Sequence, residues 1–123
     1  MKELPPEALA AIAAYFQALA EPTRLQVLNL LRERERSVGE IADLCGCSSA
    51  NISRHLALLT QHGLVQRESR GNSAIYSIAD PSVYALCDLV CGSIARKIER
   101  DSHEYAAFLA PRAVGAAARK LRA

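Results

Sequence analysis

The sequence predicts a mainly α-helical fold in which a helix-turn-helix is followed by a two-stranded β-wing and a long final helix. Two segments with helical spacing of apolar residues are separated by about three residues that include Gly46, which is the spacing of a helix-turn-helix. Two segments in which apolar and polar residues alternate flank Gly71-Asn72, and this pattern is typical of a β-hairpin. A long amphipathic segment follows Asp80-Pro81, where a helix can begin.

The first two helices follow from proline positions and apolar spacing. After Pro5-Pro6, apolar residues recur every three or four positions as far as Leu19, which indicates a helix with one buried stripe. Glu21-Pro22 ends this helix, and Pro22 suits the first turn of the next one. That second helix is dense in apolar residues and ends in the charged run of residues 32–36.

A capping box predicts where the helix-turn-helix begins. Ser37 and Glu40 have the spacing in which a hydroxyl and a carboxylate satisfy the first backbone N–H groups of a helix. We expect Ile41 and Leu44 to point inward from this short helix. Gly46 is expected to end it.

The following helix begins at a second cap, Ser48 or Ser49, and ends near His62-Gly63. Its buried face is predicted to carry Ile52, Leu56, Leu58 and Leu59. The final helix has one apolar stripe, which comprises Val83, Leu86, Cys87, Val90, Cys91, Ile94 and Ile98. This stripe and that of the first helix offer more apolar surface than a small core covers, which predicts a homodimer.

Length and composition are those of one soluble globular domain. The chain has 123 residues, of which 50% are hydrophobic and 23% are charged, so we expect a packed core. No apolar run is long enough to cross a bilayer, and the acidic, proline-containing start is unlike a signal peptide. We therefore expect a cytoplasmic protein without a membrane partner. Residues 1–108 are predicted to form the winged helix-turn-helix domain and residues 109–123 a basic, Ala-rich tail.

Four ordered motifs resemble those of a known family: LAEPTRL at residues 19–25, SVGEIA at 37–42, ISRHLALL at 52–59 and HGLV at 62–65. Together they are similar to the ArsR/SmtB family of winged helix-turn-helix repressors, over about residues 8–98. The resemblance implies a homodimer, joined through its first and last helices, that binds operator DNA. It also implies release of the DNA when a metal ion, a metalloid or an oxidant is sensed.

The candidate DNA-binding residues lie near the start of the second helix of the helix-turn-helix, the end that enters the major groove in such proteins. Hydroxyls and N–H groups there can bind phosphate, while forked donors suit base edges. Capping and packing remain the alternatives, especially for the two cap serines and the histidine. The candidates are Ser48, Ser49, Asn51, Ser53, Arg54 and His55.

The wing supplies a second set of candidates for double-stranded DNA. The net charge of +2 is small, but residues 48–79 contain three arginines and only one acidic residue. Arg67 and Arg70 flank the hairpin tip, with Asn72 in the turn, where a wing lies along the phosphate backbone or the minor groove. The alternative is that these are ordinary edge-strand arginines, which discourage aggregation.

Four cysteines are the candidates for sensing. Cys45 and Cys47 lie in the predicted turn, and Cys87 and Cys91 lie four residues apart, on one face of the last helix. Thiolates prefer soft ions, so the expected inducer is arsenite or an ion of the cadmium, lead or mercury class. Cys45 stands at a position that is usually a core leucine, and each of the other three can also be a packing residue.

The resemblance also defines two sensor sites that this chain lacks. At the family's thiol site the matching positions hold Ser37, Gly39 and Ala42. At its acid and histidine site on the last helix, Asp80 is present, but the other positions hold Ser82, Ser93 and Arg96. A zinc sensor of that kind is therefore not expected.

Three alternatives stay open at this point. The first is a repressor of the same fold that senses oxidants or sulfide through its thiols. The second is a thiol metal-carrier protein, although no Cys-x-x-Cys at a helix start and no activating histidine is visible, which also argues against an enzyme. The third is a winged helix that contacts protein instead of DNA.

Overall fold

The structure is a computed structural model that describes residues 3–101 and residue 108. Within these residues the helices are α1 (Pro6–Leu19), α2 (Pro22–Glu33), α3 (Val38–Cys45), α4 (Ser49–Gln61) and α5 (Ser82–Asp101). The strands are β1 (Arg36–Ser37), β2 (Val65–Arg70) and β3 (Ser73–Ile78). The mainly helical fold with a helix-turn-helix and a wing is confirmed. Residues 109–123, the predicted tail, lie outside the described residues.

The chain divides into two compact units, Met1–Asp80 and Pro81–Ala123. The first contains the helix-turn-helix and the sheet, and the second contains α5. Among the described residues, no helix is long and apolar enough to span a membrane.

The core of the first unit lies where α2, α3 and α4 pack on one another and on the sheet. Its fully buried side chains include Val27, Leu28, Ile41, Ile52, Leu56, Leu59 and Leu64. Close packing of these branched aliphatic residues fixes α4 against the rest of the unit, because interior side chains interdigitate at crystal-like density. The exposed side of α4 is thereby held in a defined direction.

The predicted capping box is present. Ser37 Oγ accepts from the backbone N–H of Glu40 at 3.2 Å, and the Glu40 carboxylate accepts from the Ser37 N–H. The expectation for Leu44 is wrong, because its side chain is 52% exposed. Cys45 is buried instead, four residues after Ile41, so the inward stripe passes through the last residue of α3.

The wing contains one strand more than the sequence predicted. The hairpin of β2 and β3 pairs from Val65 opposite Ile78 to the turn, and β1 joins the other side of β3 in an antiparallel sheet of order β1-β3-β2. Arg36 of β1 pairs with Tyr76 of β3. The sheet thus ties the start of α3 to the base of the wing.

In the second unit, much of the apolar surface of α5 faces outward. Val83 and Ala95 are buried, whereas Leu89, Val90 and Ile94 are 72%, 49% and 43% exposed. On α1, in the first unit, Leu9 and Phe16 are 44% and 48% exposed. Exposed apolar side chains of this size on a helix are typical of a surface that a partner covers.

Candidate nucleic-acid interface

The helix-turn-helix turn is built by a glycine and a serine cap. Gly46 ends α3 with φ of 65°, a left-handed conformation that glycine adopts without strain. Ser48 then caps α4, and its hydroxyl accepts from the backbone N–H of Asn51 at 3.1 Å. Of the two caps that the sequence allowed, Ser48 is therefore the one used. Its exposed side chain remains at the N-terminal end of the helix.

The first two turns of α4 present a polar face. Ser49, Ser53 and Arg54 are exposed, and Asn51 is half-buried. Arg54 Nη2 donates to Asn51 Oδ1 at 2.6 Å, so the two forked side chains lie side by side and preorganise each other. A guanidinium has further N–H donors beyond this bond, which suit a phosphate or the edge of a guanine.

His55, which the sequence offered as a DNA contact, lies on a different side of α4. Its side chain is 16% exposed. Its Nδ1 lies 3.2 Å from Arg24 Nη1, and its Nε2 lies 3.9 Å from Glu21 Oε2. Burial lowers the pKa of this imidazole, and the nearby Arg24 and Arg54 act in the same direction, while Glu21 opposes them. The histidine is therefore neutral at pH 7 and packs against the start of α2.

On the wing, Arg67 is exposed on β2, and its Nη1 donates to Ser69 Oγ at 3.2 Å. Asn72 is exposed in the turn. It follows Gly71, whose φ of 61° again requires the left-handed region. Both candidates thus stand on the outer surface of the hairpin.

Arg70 is held by two carboxylates. Its Nη2 donates to Glu68 Oε2 at 2.8 Å and to Glu35 Oε2 at 3.1 Å, and its Nη1 pairs with Glu35 Oε1. These bonds raise the pKa of Arg70 and hold the pKa of Glu35 below its ordinary value. The structure therefore differs from the simple sequence picture of an arginine open to phosphate. Glu68 is two residues away on the same strand, but no local signal revealed the contact with Glu35, which is 35 residues away in the chain.

The cysteines of the turn differ in accessibility. Cys45 is 2% exposed, whereas Cys47 is half-buried, with its Sγ donating to the Cys45 carbonyl oxygen at 3.5 Å. All four cysteines of the chain are thiols. Because the Cys45 thiol belongs to the core, these two residues fit poorly as a shared ion site.

The cysteines of α5 are more open. Cys87 is half-buried and Cys91 is exposed, one helical turn apart. Within residues 3–101 and residue 108, no cluster of three or more histidine, cysteine, aspartate or glutamate side chains has the arrangement of a metal site. Two thiols of one chain supply only part of the shell of a soft ion that takes three or four ligands, and a second copy or solvent can supply the rest.

Comparison with known proteins places this geometry in a family. A sequence-family model described as a helix-turn-helix domain (HTH_20) matches residues 19–68. An uncharacterized HTH-type transcriptional regulator of Mycobacterium tuberculosis, Rv0081, is 41% identical over 70% of this chain and 72% of its own length. Its crystal structure superposes with a TM-score of 0.71 at 36% identity, over 80% of this chain and 98% of that one.

Two further relatives have more specific descriptions. A probable mercury resistance operon repressor of Streptomyces lividans is 37% identical over 73% of this chain and 68% of its own length. The solution structure of Mb0332 from Mycobacterium bovis is described as a homodimeric winged helix-turn-helix DNA-binding domain of a possible ArsR-family regulator. It aligns with a TM-score of 0.67 at 32% identity, over 84% of this chain and 97% of that one. The chain belongs to the ArsR/SmtB family of winged helix-turn-helix transcriptional regulators, which are DNA-binding proteins and not enzymes.

Proposed function

We propose that this chain is a homodimeric transcriptional repressor that binds double-stranded operator DNA with α4 and the wing. The observation that carries the proposal is the polar face at the start of α4, where the exposed Ser49, Ser53 and Arg54 stand on a helix anchored by its buried side. A helix presented in this way enters the major groove N-terminus first. The Arg54–Asn51 pair is positioned to read base edges, and the serine hydroxyls contact phosphate.

The wing adds contacts to the backbone of the duplex. Arg67 supplies the cationic contact, and Asn72 supplies a polar one at the tip. Arg70 adds little net attraction while Glu35 and Glu68 hold it, because a phosphate must then compete with two carboxylates. In this role Arg70 braces the wing against the segment before β1.

A dimer explains both the exposed apolar surface and the size of the DNA site. The exposed Leu9 and Phe16 on α1, and Leu89, Val90 and Ile94 on α5, are covered by a second copy. Twofold symmetry then presents two copies of α4 to two half-sites about one helical turn of DNA apart. The homodimeric description of the Mycobacterium bovis relative supports this assembly.

The inducer is a soft metal or metalloid ion of the arsenite, cadmium, lead or mercury class, bound by Cys87 and Cys91. Their spacing places both thiols on one side of α5, and a second copy brings the number of available thiols up to four. The probable mercury repressor among the relatives supports a soft-ion signal. Binding in a dimer interface shifts the spacing of the two α4 helices and so weakens the complex with DNA.

Selection from random-sequence duplexes tests the DNA-binding part. The full-length protein is incubated with a random duplex pool at low salt, retained duplexes are sequenced, and their affinity is measured at rising salt. We expect a two-half-site sequence and an affinity that falls steeply with salt. Protein that retains no duplex at low salt contradicts the proposal and favours a winged helix that contacts protein.

Ultraviolet absorption tests the sensing part. Reduced protein is titrated with cadmium, mercury and arsenite, and thiolate-to-metal bands report the number of bound ions and sulfur ligands. We expect saturation at one ion per pair of α5 cysteines or one per dimer, and loss of the bands in a Cys87→Ser/Cys91→Ser variant. No band with any ion, together with DNA release on mild oxidation, favours a redox-responsive repressor instead.

A further inference from the structure

Arg24 joins three parts of the first unit. Its Nε donates to the Ala18 carbonyl at 2.6 Å, and its Nη2 donates to the Gln17 carbonyl at 3.1 Å, so the guanidinium caps the C-terminal end of α1. Its backbone N–H donates to Glu21 Oε2 at 2.9 Å, the N-cap of α2. Its remaining guanidinium nitrogen, Nη1, contacts Nδ1 of His55 on α4. One planar side chain thus bonds to the end of one helix and to the side of another.

The partner on α4 must be an uncharged imidazole. An arginine guanidinium carries donors and no acceptor, so the 3.2 Å contact from Arg24 Nη1 requires a lone pair on His55 Nδ1. The proton is then on Nε2, which faces Glu21 Oε2 at 3.9 Å. His55 directly follows Arg54, the arginine assigned to the DNA face. His55 therefore lies in the same turn of α4 as the proposed DNA contact.

We propose that Arg24 and His55 form a positioning pair that sets the angle of α4 relative to the end of α1, and that His55 acts through this bond and not by contacting DNA. The proposal rests on the proposed DNA-binding function. Because α1 also carries exposed Leu9 and Phe16, the pair links the side of the unit that bears the dimer contact to the helix that reads the duplex. Arg24 is suited to this because its planar guanidinium holds donors in fixed directions toward three acceptors, whereas a lysine ammonium is a compact point charge.

Protonation breaks the link. A protonated His55 has no lone pair at Nδ1 and places a second cation 3.2 Å from Arg24. The charged groups that face the imidazole are Glu21, Arg24 and Arg54, of which only Glu21 favours the protonated form. Burial opposes protonation as well. Operator binding therefore requires neutral His55 and weakens in acid.

The expected change of DNA affinity with pH is opposite to that of a histidine that contacts phosphate. A histidine that touches phosphate binds DNA more tightly when it is protonated, because it then neutralises a charge and releases a counterion. A histidine that holds the recognition helix through Arg24 binds less tightly when it is protonated. The direction of the pH effect thus separates the two roles.

The test measures operator affinity of the full-length protein by fluorescence anisotropy between about pH 8 and about pH 5.5, which brackets the histidine range. We expect wild-type affinity to fall as pH drops through the lowered pKa of His55, and by about fivefold or more where the imidazole is protonated. His55→Asn retains an acceptor near the Nδ1 position without titrating, and we expect it to remove this pH dependence. The matched controls His62→Asn and His103→Asn are expected to retain it.

Two further measurements complete the test. Arg24→Lys is expected to weaken operator binding at pH 8 without changing the slope of log affinity against log salt, because no phosphate contact is lost. If that variant fails to melt cooperatively, the His55→Asn profile alone decides. Wild-type affinity that is flat or rises in acid, or a His55→Asn variant with a flatter salt slope, overturns the positioning role alone. Wild-type protein that binds no duplex at any pH overturns the proposed function itself.

Discussion

The two wing arginines should differ sharply in what they contribute to DNA binding. Arg67 is exposed and bonded to a neutral hydroxyl, so its full charge is available to phosphate. Arg70 has the same charge, but Glu35 and Glu68 offset it. In a symmetric dimer, Arg67→Gln removes two phosphate contacts, which lowers the slope of log affinity against log salt by about 1.8. Arg70→Gln should change the slope by much less.

The measurement is operator affinity by fluorescence anisotropy at several concentrations of salt from about 50 to about 200 mM. Over this fourfold range a slope difference of about 1.8 makes the wild-type protein lose about twelvefold more affinity than the Arg67→Gln variant. Arg70→Gln is the matched control, since it removes the same charge from the same strand. Equal slopes for wild type and Arg67→Gln, or an equal loss of slope in both variants, would refute the assignment.

Three other predictions follow from the same contacts. Ser48→Ala should lower the free energy of unfolding by about 1 kcal/mol, because the cap of α4 is lost, while Ser48→Asn, which can cap, should lower it much less in urea titrations. Since the pKa of His55 is lowered in the folded state, the unfolded chain binds more protons between that value and 6.5. Urea titrations should therefore show stability that is constant above this window and falls as pH drops through it, and a His55→Asn variant should lack this loss. Glu35→Gln combined with Glu68→Gln should steepen the salt dependence of operator binding by up to about 1.8, because Arg70 is released in both protomers, and an unchanged slope would mean that Arg70 never reaches phosphate.

Local signals in the sequence were sufficient for most of the fold. The capping box at Ser37 and Glu40, the glycine at position 46 and the Gly71-Asn72 turn each act over a few residues, so each was visible in the sequence and is present in the structure. Strand β1 was not visible in the sequence. Its two residues, Arg36 and Ser37, lie next to a charged run, and they become a strand only by pairing with β3, which is distant in the chain.

The candidate site was less predictable because its residues have long-range partners. Sequence spacing put His55 on the DNA-binding helix but did not show that Arg24, 31 residues earlier, turns it toward α2. The same limit applied to Arg70 and its carboxylate partner Glu35. The exposed face of α4 around Arg54 was predictable, because helical periodicity alone separates it from the buried side. The DNA-binding and thiol assignments remain predictions for each residue.

The most direct test of the account is release of a selected operator duplex by a soft ion. Cadmium or arsenite is added to the preformed complex of the reduced dimer, and affinity is followed by fluorescence anisotropy. Three proteins are compared: wild type, Cys87→Ser/Cys91→Ser and Cys45→Ser/Cys47→Ser. We predict that the ion weakens binding by about fivefold or more in the wild type and in the Cys45→Ser/Cys47→Ser variant, but has no effect on the Cys87→Ser/Cys91→Ser variant. Full release from the Cys87→Ser/Cys91→Ser variant would contradict the assignment of the sensor to α5.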